Sequence, residues 1–276
     1  MRTTGIISEL RTLRGTMSGV LGLVPTMGAL HNGHVSLIRR ARRECDYVGV
    51  SIFVNPAQFD KKEDLVKYPR TLENDLSLLE NLGVDAVWTP SRETVYPVGY
   101  QTWIAVENAS KPLEGADRPG HFRGVATVVA KLLNVFMPNR VYFGQKDAQQ
   151  VAVVRRMVAD LNFAVDVAVS PTERDPDGLA LSSRNARLDA DERRAAPVLY
   201  RALLVAKAKY ETGERNADAI RAAAIETLLE EPLADVRYVS VADPNTIDEL
   251  MIISGGALLS VAVNIGKTRL IDNVLL

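Results

Sequence analysis

VLGLVPTMGALHNGHVSLIRRARRECDYVGVSIFV, residues 20–54, decides the fold. It opens on an apolar run, VLGLVPT (20–26), and closes on another, YVGVSIFV (47–54). Between them Val35, Ile38, Ala41 and Cys45 recur at three- and four-residue spacing, the stripe of an amphipathic helix. Two nearly all-apolar strands joined by a helix form a right-handed βαβ unit with parallel strands covered on both faces.

The pattern continues outward. VDAVWTP (84–90), RVYFG (140–144) and DVAVSPT (166–172) read as further buried strands. GVATVVAKLLNVF (124–136) and the series Val151, Val154, Val158, Leu161 read as helices between them. The expected class is α/β, a Rossmann-like doubly wound parallel sheet. From about residue 173 the texture changes. PTERDPDGLALSSRN (171–185) is polar and turn-rich, and two long Ala-rich helical patterns follow, ADERRAAPVLYRALLVAKAKY (190–210) and ADAIRAAAIETLLEE (217–231). The strand-like VRYVSVAD, ALLSVAVNIG and TRLID complete a smaller C-terminal α+β unit. The expected division is 1–172 for a Rossmann-like domain and 173–276 for a C-terminal lid.

Composition narrows the function. The formal net charge is −1, so no global basic field argues for nucleic acid. Arg39, Arg40, Arg42 and Arg43 read as the wet side of the helix. The single cysteine, Cys45, excludes an internal disulfide and suits a small core residue. No stretch approaches transmembrane length and MRTTGIISELRTLRG lacks a signal-peptide run, so the expected location is the cytoplasm, with no membrane partner.

Ligands of open α/β sheets bind at the carboxyl ends of strands. MGALHNG leaves the strand 20–26, and a helix starting near Asn32 to His34 offers unpaired amides and a positive dipole end to an anion. His34 falls in its first turn and His31 on the approaching loop. Gly28 and Gly33 let the backbone come close to a ligand. The same residues also suit a plain strand–turn–helix connection with surface imidazoles, and the stretch alone leaves both readings open. Zinc is the weaker idea, because the third histidine, His121, is distant and no Cys cluster or H-E-x-x-H accompanies it. NIGKT (264–268) mimics the end of a Walker A loop, but Val261 stands where its first glycine belongs.

Further motifs resolve the ambiguity. PTMGALHNGH resembles the HxGH signature of the nucleotidylyltransferase superfamily, and GLALSSRN (178–185) resembles its second, KMSKS-like element. With SIFVNPAQF, YPRT, RPGHFRGV, FGQKDAQQ and RLIDN, the chain resembles the pantoate–β-alanine ligase family over residues 23 to 273. The resemblance implies ATP-dependent condensation of pantoate with β-alanine through a pantoyl adenylate, releasing pyrophosphate and AMP. Mg²⁺ accompanies the ATP, its protein ligands are not implied, and the family is commonly homodimeric.

It also implies site residues. His31 and His34 donate to the triphosphate, and the family gives His34 the proton-donor role. Lys146 follows the strand 140–144 and reaches phosphate as a point charge. Ser182, Ser183 and Arg184 lie on the polar loop and close over the β- and γ-phosphates. The wider ATP site takes in Met27, Gly28, Ala29, Leu30, Asn32 and Gly33, then Gly144, Gln145 and Asp147, and Glu173 with Leu181. Gln58, past the strand end, and Gln150, one turn before Val154, are the candidates for pantoate and β-alanine, since a neutral amide binds both hydroxyl and carboxylate. Tyr68 and Arg118 match family positions near the pocket. Three departures stand out. Gln145 replaces a frequent Glu and Leu181 a frequent Met. Glu173 stands where an apolar residue is usual, and the resemblance implies that its own backbone contacts the adenine.

Three other functions compete. An adenylyltransferase acting on a phosphomonoester needs more cations than Gln58 and Gln150 supply. A tRNA-binding relative is disfavoured by the charge balance. A non-catalytic nucleotide sensor has no need to keep His34, Lys146 and Arg184 together.

Overall fold

The computed structural model describes residues 1–60 and 62–276. Residues 20–54 fold as strand β2 (Leu21–Thr26), helix α2 (Asn32–Glu44) and strand β3 (Tyr47–Ile52), with the two strands parallel and in register from Leu21↔Tyr47 to Thr26↔Ile52. They form the middle of a six-stranded parallel sheet of order β1-β4-β3-β2-β5-β6. Its other strands are β1 (Arg2–Thr4), β4 (Ala86–Trp88), β5 (Arg140–Gly144) and β6 (Asp166–Ser170). The order reverses between β2 and β5, so their carboxyl ends flank the switch point where such sheets bind ligands.

The strand residues show how both faces are covered. Gly22 and Val24 of β2 and Val48 and Val50 of β3 face α2: a Cβ at Gly22 would lie 2.9 Å from Cys45 Sγ and 3.4 Å from Ala41, and the valines pack with Leu37, Ile38 and Ala41. Gly49 faces the other way, where a Cβ would lie 2.8 Å from Phe136 on helix α7 (His121–Phe136). α7 is buried along nearly its whole length, as its mostly apolar sequence requires. The fold class is the one expected: α/β, doubly wound.

The chain forms two compact units, Met1–Gly144 with Val153–Ser170, and Gln145–Ala152 with Pro171–Leu276. The second holds helices α9 (Ala190–Ala195), α10 (Val198–Glu211) and α11 (Ala217–Leu229) and an antiparallel sheet of β7 (Ala234–Ala242), β8 (Leu258–Ile265) and β9 (Thr268–Leu275). Leu199, Leu203, Ile220 and Leu228 of the helices pack with Val241, Leu259, Val261 and Val263 of the sheet, an α+β core.

Four local expectations change. β1 is an extra edge strand; its RTT sequence carries no apolar period to announce it. The pattern 190–210 is two helices, because Pro197 supplies no amide to carry the ladder across. Helix α8 (Ala148–Asp160) buries Val151, Val154 and Met157, whereas Leu161 lies past its end and is half exposed. Of the four arginines on α2 only Arg39 and Arg43 are exposed. Arg40 donates to the Val169 carbonyl at 2.6 Å, and Arg42 to Asp85 Oδ2 at 2.7 Å, tying the helix to neighbouring strands.

NIGKT is the β8–β9 hairpin. Ile265 pairs with Thr268 across a two-residue turn whose Gly266 sits at φ +57°. Among the described residues no helix is long and apolar enough to cross a membrane.

Candidate active site

At the carboxyl end of β2 the chain turns through Gly28 and Ala29, at φ +80° and +51°. Gly28 is therefore a conformational requirement: an added Cβ would be strained there and would lie 3.0 Å from Asp75 Oδ2 and 3.1 Å from Ile52 Cγ2. His31 follows as the N-cap of α2. Its Nδ1 accepts the Gly33 amide at 3.2 Å, and its own amide donates to His34 Nδ1 at 3.3 Å. The two imidazoles thus form a reciprocal cap, with ring centroids 4.1 Å apart. With Nδ1 accepting in each ring, the neutral form carries its proton on Nε2.

This changes the source of anion recognition at the helix start. The amides of Gly33, His34 and Val35 have internal partners, His31 Nδ1 for the first and the His31 carbonyl for the other two. The amides of Ala29 and Leu30 donate to Asp75. The capped turn sets two imidazole rings, whose neutral form carries its hydrogen on Nε2, at the positive end of a helix dipole. Met27 lies beside the turn, and its sulfur accepts from Gln58 Nε2 at 3.0 Å. Asn32, the first helical residue, is exposed.

Gln58 ends the short helix η1 (Pro56–Gln58) after β3 and is buried. Its Oε1 accepts from Asn55 Nδ2 at 3.0 Å. Its carbonyl accepts from His121 Nδ1 at 2.7 Å and from Arg118 at 3.2 Å. Arg118 also donates to His121 Nε2 at 3.3 Å, so the proton of the neutral His121 ring is on Nδ1. Asn55, itself buried, accepts from Tyr96 Oη at 2.8 Å and donates to the Gly124 carbonyl at 3.1 Å. Burial pushes the Tyr96 phenol up, which keeps it a donor. His121 therefore holds Gln58; among the described residues no group of three potential metal ligands occurs.

Gly144 ends β5 in the first unit, and the second unit carries the remaining candidates. Gln145, Lys146 and Asp147 form the turn η2 ahead of α8. Asn273, buried on β9, donates to the carbonyls of Gln145 at 3.0 Å and Lys146 at 2.9 Å, and accepts from Gln145 Nε2 at 3.1 Å. Its neighbour Asp272 takes two hydrogen bonds from Arg174, whose guanidinium lies 3.7 Å from the centre of the Tyr200 ring. Burial pushes the Asp272 carboxyl up; Arg174 and the Asn273 amide oppose that. Ser182 caps the 3₁₀ helix η3 (Ser183–Arg187), accepting the Arg184 amide at 3.3 Å.

Lys146, Ser182 and Arg184 line one pocket together with Arg269 and Asp272. Ser183, Leu181 and Glu173 do not line it; Glu173 is exposed, and its carbonyl accepts the Leu181 amide at 2.9 Å. Gln150 is half-buried, while the adjacent Gln149 is the buried one. Tyr68 stacks edge-on against Phe59, centroids 5.7 Å apart.

Asp75, Asn55 and Asn273 were not singled out by sequence reasoning. Asp75 left a readable signal, since it shares the buried face of helix α4 (Leu72–Asn81) with Leu79, four residues on. A carboxylate there needs partners.

The family model described as pantoate-beta-alanine ligase matches residues 2–275. The chain belongs to that family. It is 56% identical over 276 residues to the pantothenate synthetase of Roseiflexus sp. (strain RS-1), covering all of this chain and 99% of that protein. A crystal structure of pantothenate synthetase from Thermus thermophilus shares its fold at a TM-score of 0.94, with 47% identity and 99% of each chain covered. The Francisella tularensis pantoate-beta-alanine ligase, crystallised with beta-gamma ATP and beta-alanine, superposes at a TM-score of 0.82, with 36% identity. That match covers 100% of this chain and 97% of the other. Family membership thus extends over both units.

Proposed function

We propose that this member of the pantoate–β-alanine ligase family condenses pantoate with β-alanine at the expense of ATP. The observation that carries the reading is the imidazole pair. Each ring has its Nδ1 engaged in the cap, which directs its Nε2 to the work of a donor in the proposed reaction, and the pair stands where the sheet order reverses.

A pantoate carboxylate oxygen attacks the α-phosphorus, and the bond to the β-phosphate oxygen breaks, releasing pyrophosphate. The amine nitrogen of β-alanine then attacks the acyl carbon; the C–O bond to the adenylate breaks, AMP leaves with that electron pair, and the nitrogen loses a proton. The substrate carboxylate is the nucleophile, so the protein's work is alignment and charge placement. His31 and His34 donate to the triphosphate, with His34 placing a proton at the developing charge. Lys146, Ser182, Ser183 and Arg184 carry the β- and γ-phosphates, while Gln145, Asp147, Leu181 and the backbone of Glu173 complete the nucleotide's surroundings. Gln58 and Gln150 bind pantoate and β-alanine.

Mg²⁺ enters as part of the MgATP substrate. The donor set fits that reading, because Mg²⁺ is held chiefly by substrate phosphates and water rather than by an all-protein cage. We assign 1–172 to nucleotide and pantoate binding and 173–276 to the C-terminal domain. We expect a cytoplasmic homodimer, on the strength of the family resemblance and the ATP requirement. Light scattering giving twice the chain mass is expected; the mass of a single chain contradicts the dimer.

The reaction is tested by following pyrophosphate and AMP with ATP, Mg²⁺, pantoate and β-alanine. Release of both, dependent on both acids, is expected. Pyrophosphate release with a phosphomonoester, and none with pantoate, would instead mark an adenylyltransferase of the other kind.

A further inference from the structure

Asp75 lies in the first turn of α4 and is 4% exposed. Its Oδ2 accepts the Ala29 amide at 2.9 Å and its Oδ1 the Leu30 amide at 2.9 Å. Thr71 Oγ1 lies 3.2 Å from both oxygens. The amides it binds belong to the turn that holds Gly28 and Ala29 at positive φ. Successive amides in such a turn form a concave nest that attracts an anion, and here the anion is the protein's own carboxylate. Ala29 is the costly residue, because its Cβ opposes the left-handed conformation, and such strain persists only where the surroundings over-determine it. Thr26 Oγ1 holds the other edge, accepting the Gly28 amide at 3.2 Å. His31 begins one residue after the clamped pair, and its amide carries the bond to His34.

We infer that Asp75 is a positioning residue for the imidazole pair: the carboxylate fixes the strained turn, and the turn sets where His31 and His34 aim their Nε2 hydrogens. The inference rests on the reading of those imidazoles as nucleotide-binding groups. Asp75 also keeps the nest filled, so that a phosphate meets the rings rather than the amides of Ala29 and Leu30. Asp75→Asn preserves shape but turns an NH₂ group toward one of those amides.

The test is pantoate-dependent exchange of labelled pyrophosphate into ATP, with the imidazole resonances followed by NMR. The chain has three histidines, of which His121 is the internal control. Asp75→Asn is expected to lower exchange by ~10²-fold, the order of loss that a misplacement of about 1 Å brings. The His31 and His34 signals should move while His121 stays. Thr71→Val, which removes only the hydroxyl beside the carboxylate, should shift both readouts the same way by less, and it carries the test if Asp75→Asn does not fold. Wild-type exchange in the folded variants, or lost exchange with unmoved His31 and His34 signals, would overturn the inference. His34→Ala, run alongside, separates the two levels. Full exchange in that variant removes the imidazole reading itself, whereas its loss beside unimpaired Asp75 variants removes Asp75 alone.

Discussion

The imidazole pair acts through two opposite ends of each ring. Nδ1 of His34 closes the cap by accepting the His31 amide, and the proposed phosphate contact falls to its Nε2 hydrogen. His34→Ala therefore loses one capping acceptor, worth roughly 1 kcal/mol, and, on the function proposed above, one phosphate donor, worth ~10²–10³ in turnover. A large fall in kcat with a small fall in urea midpoint is the expected result; equal losses of activity and fold would contradict the division. Gly28→Ala places a Cβ at φ +80°, which costs about 1–2 kcal/mol, visible in the same urea titration. At this scale the sequence was legible as to where the histidines lie, at a strand end and a helix start, and silent on the cap they form. The histidines were readable from their spacing at a strand end. That their Nδ1 atoms engage the amides of Gly33 and His31 was not, because a capping role needs the turn geometry.

Elements deliver these side chains through contacts that no local pattern shows. α7 reaches η1 through Gly124, where an added Cβ would stand 2.3 Å from the Ala57 carbonyl and 2.7 Å from the Gln58 amide. Gly124→Ala is expected to push η1 away and raise KM for pantoate several-fold, with a stability loss of about 1–3 kcal/mol. An unchanged KM would detach Gln58 from pantoate. β9 holds η2 through Asn273, whose NH₂ satisfies two carbonyls. Asn273→Asp keeps the size and loses both donors, leaving carbonyls unpaired at about 1–3 kcal/mol. A raised KM for ATP is expected, and an unaltered KM would sever Lys146 from that support. The strands and most helices were readable from apolar periods, since each buries a continuous face. β1 and the break at Pro197 were not, the first for want of a period and the second because the period runs through it. Asp75 and Asn273 are long-range partners, separated from the residues they hold by 45 to 46 and 127 to 128 positions. Spacing along the chain carries no trace of such pairs.

The family match covers residues 2–275, so the whole chain is committed to one chemistry. Its near-zero net charge suits small charged substrates met by local donors instead of a broad basic surface. On the function proposed above, the imidazole pair acts in forming the acyl adenylate, before the amine is needed. Pantoate-dependent pyrophosphate–ATP exchange in the absence of β-alanine isolates that half-reaction. The wild-type chain should exchange label only when pantoate is present, and folded His34→Ala should exchange at least ~10²-fold more slowly. Exchange without pantoate, or near-normal exchange in His34→Ala, would contradict the account.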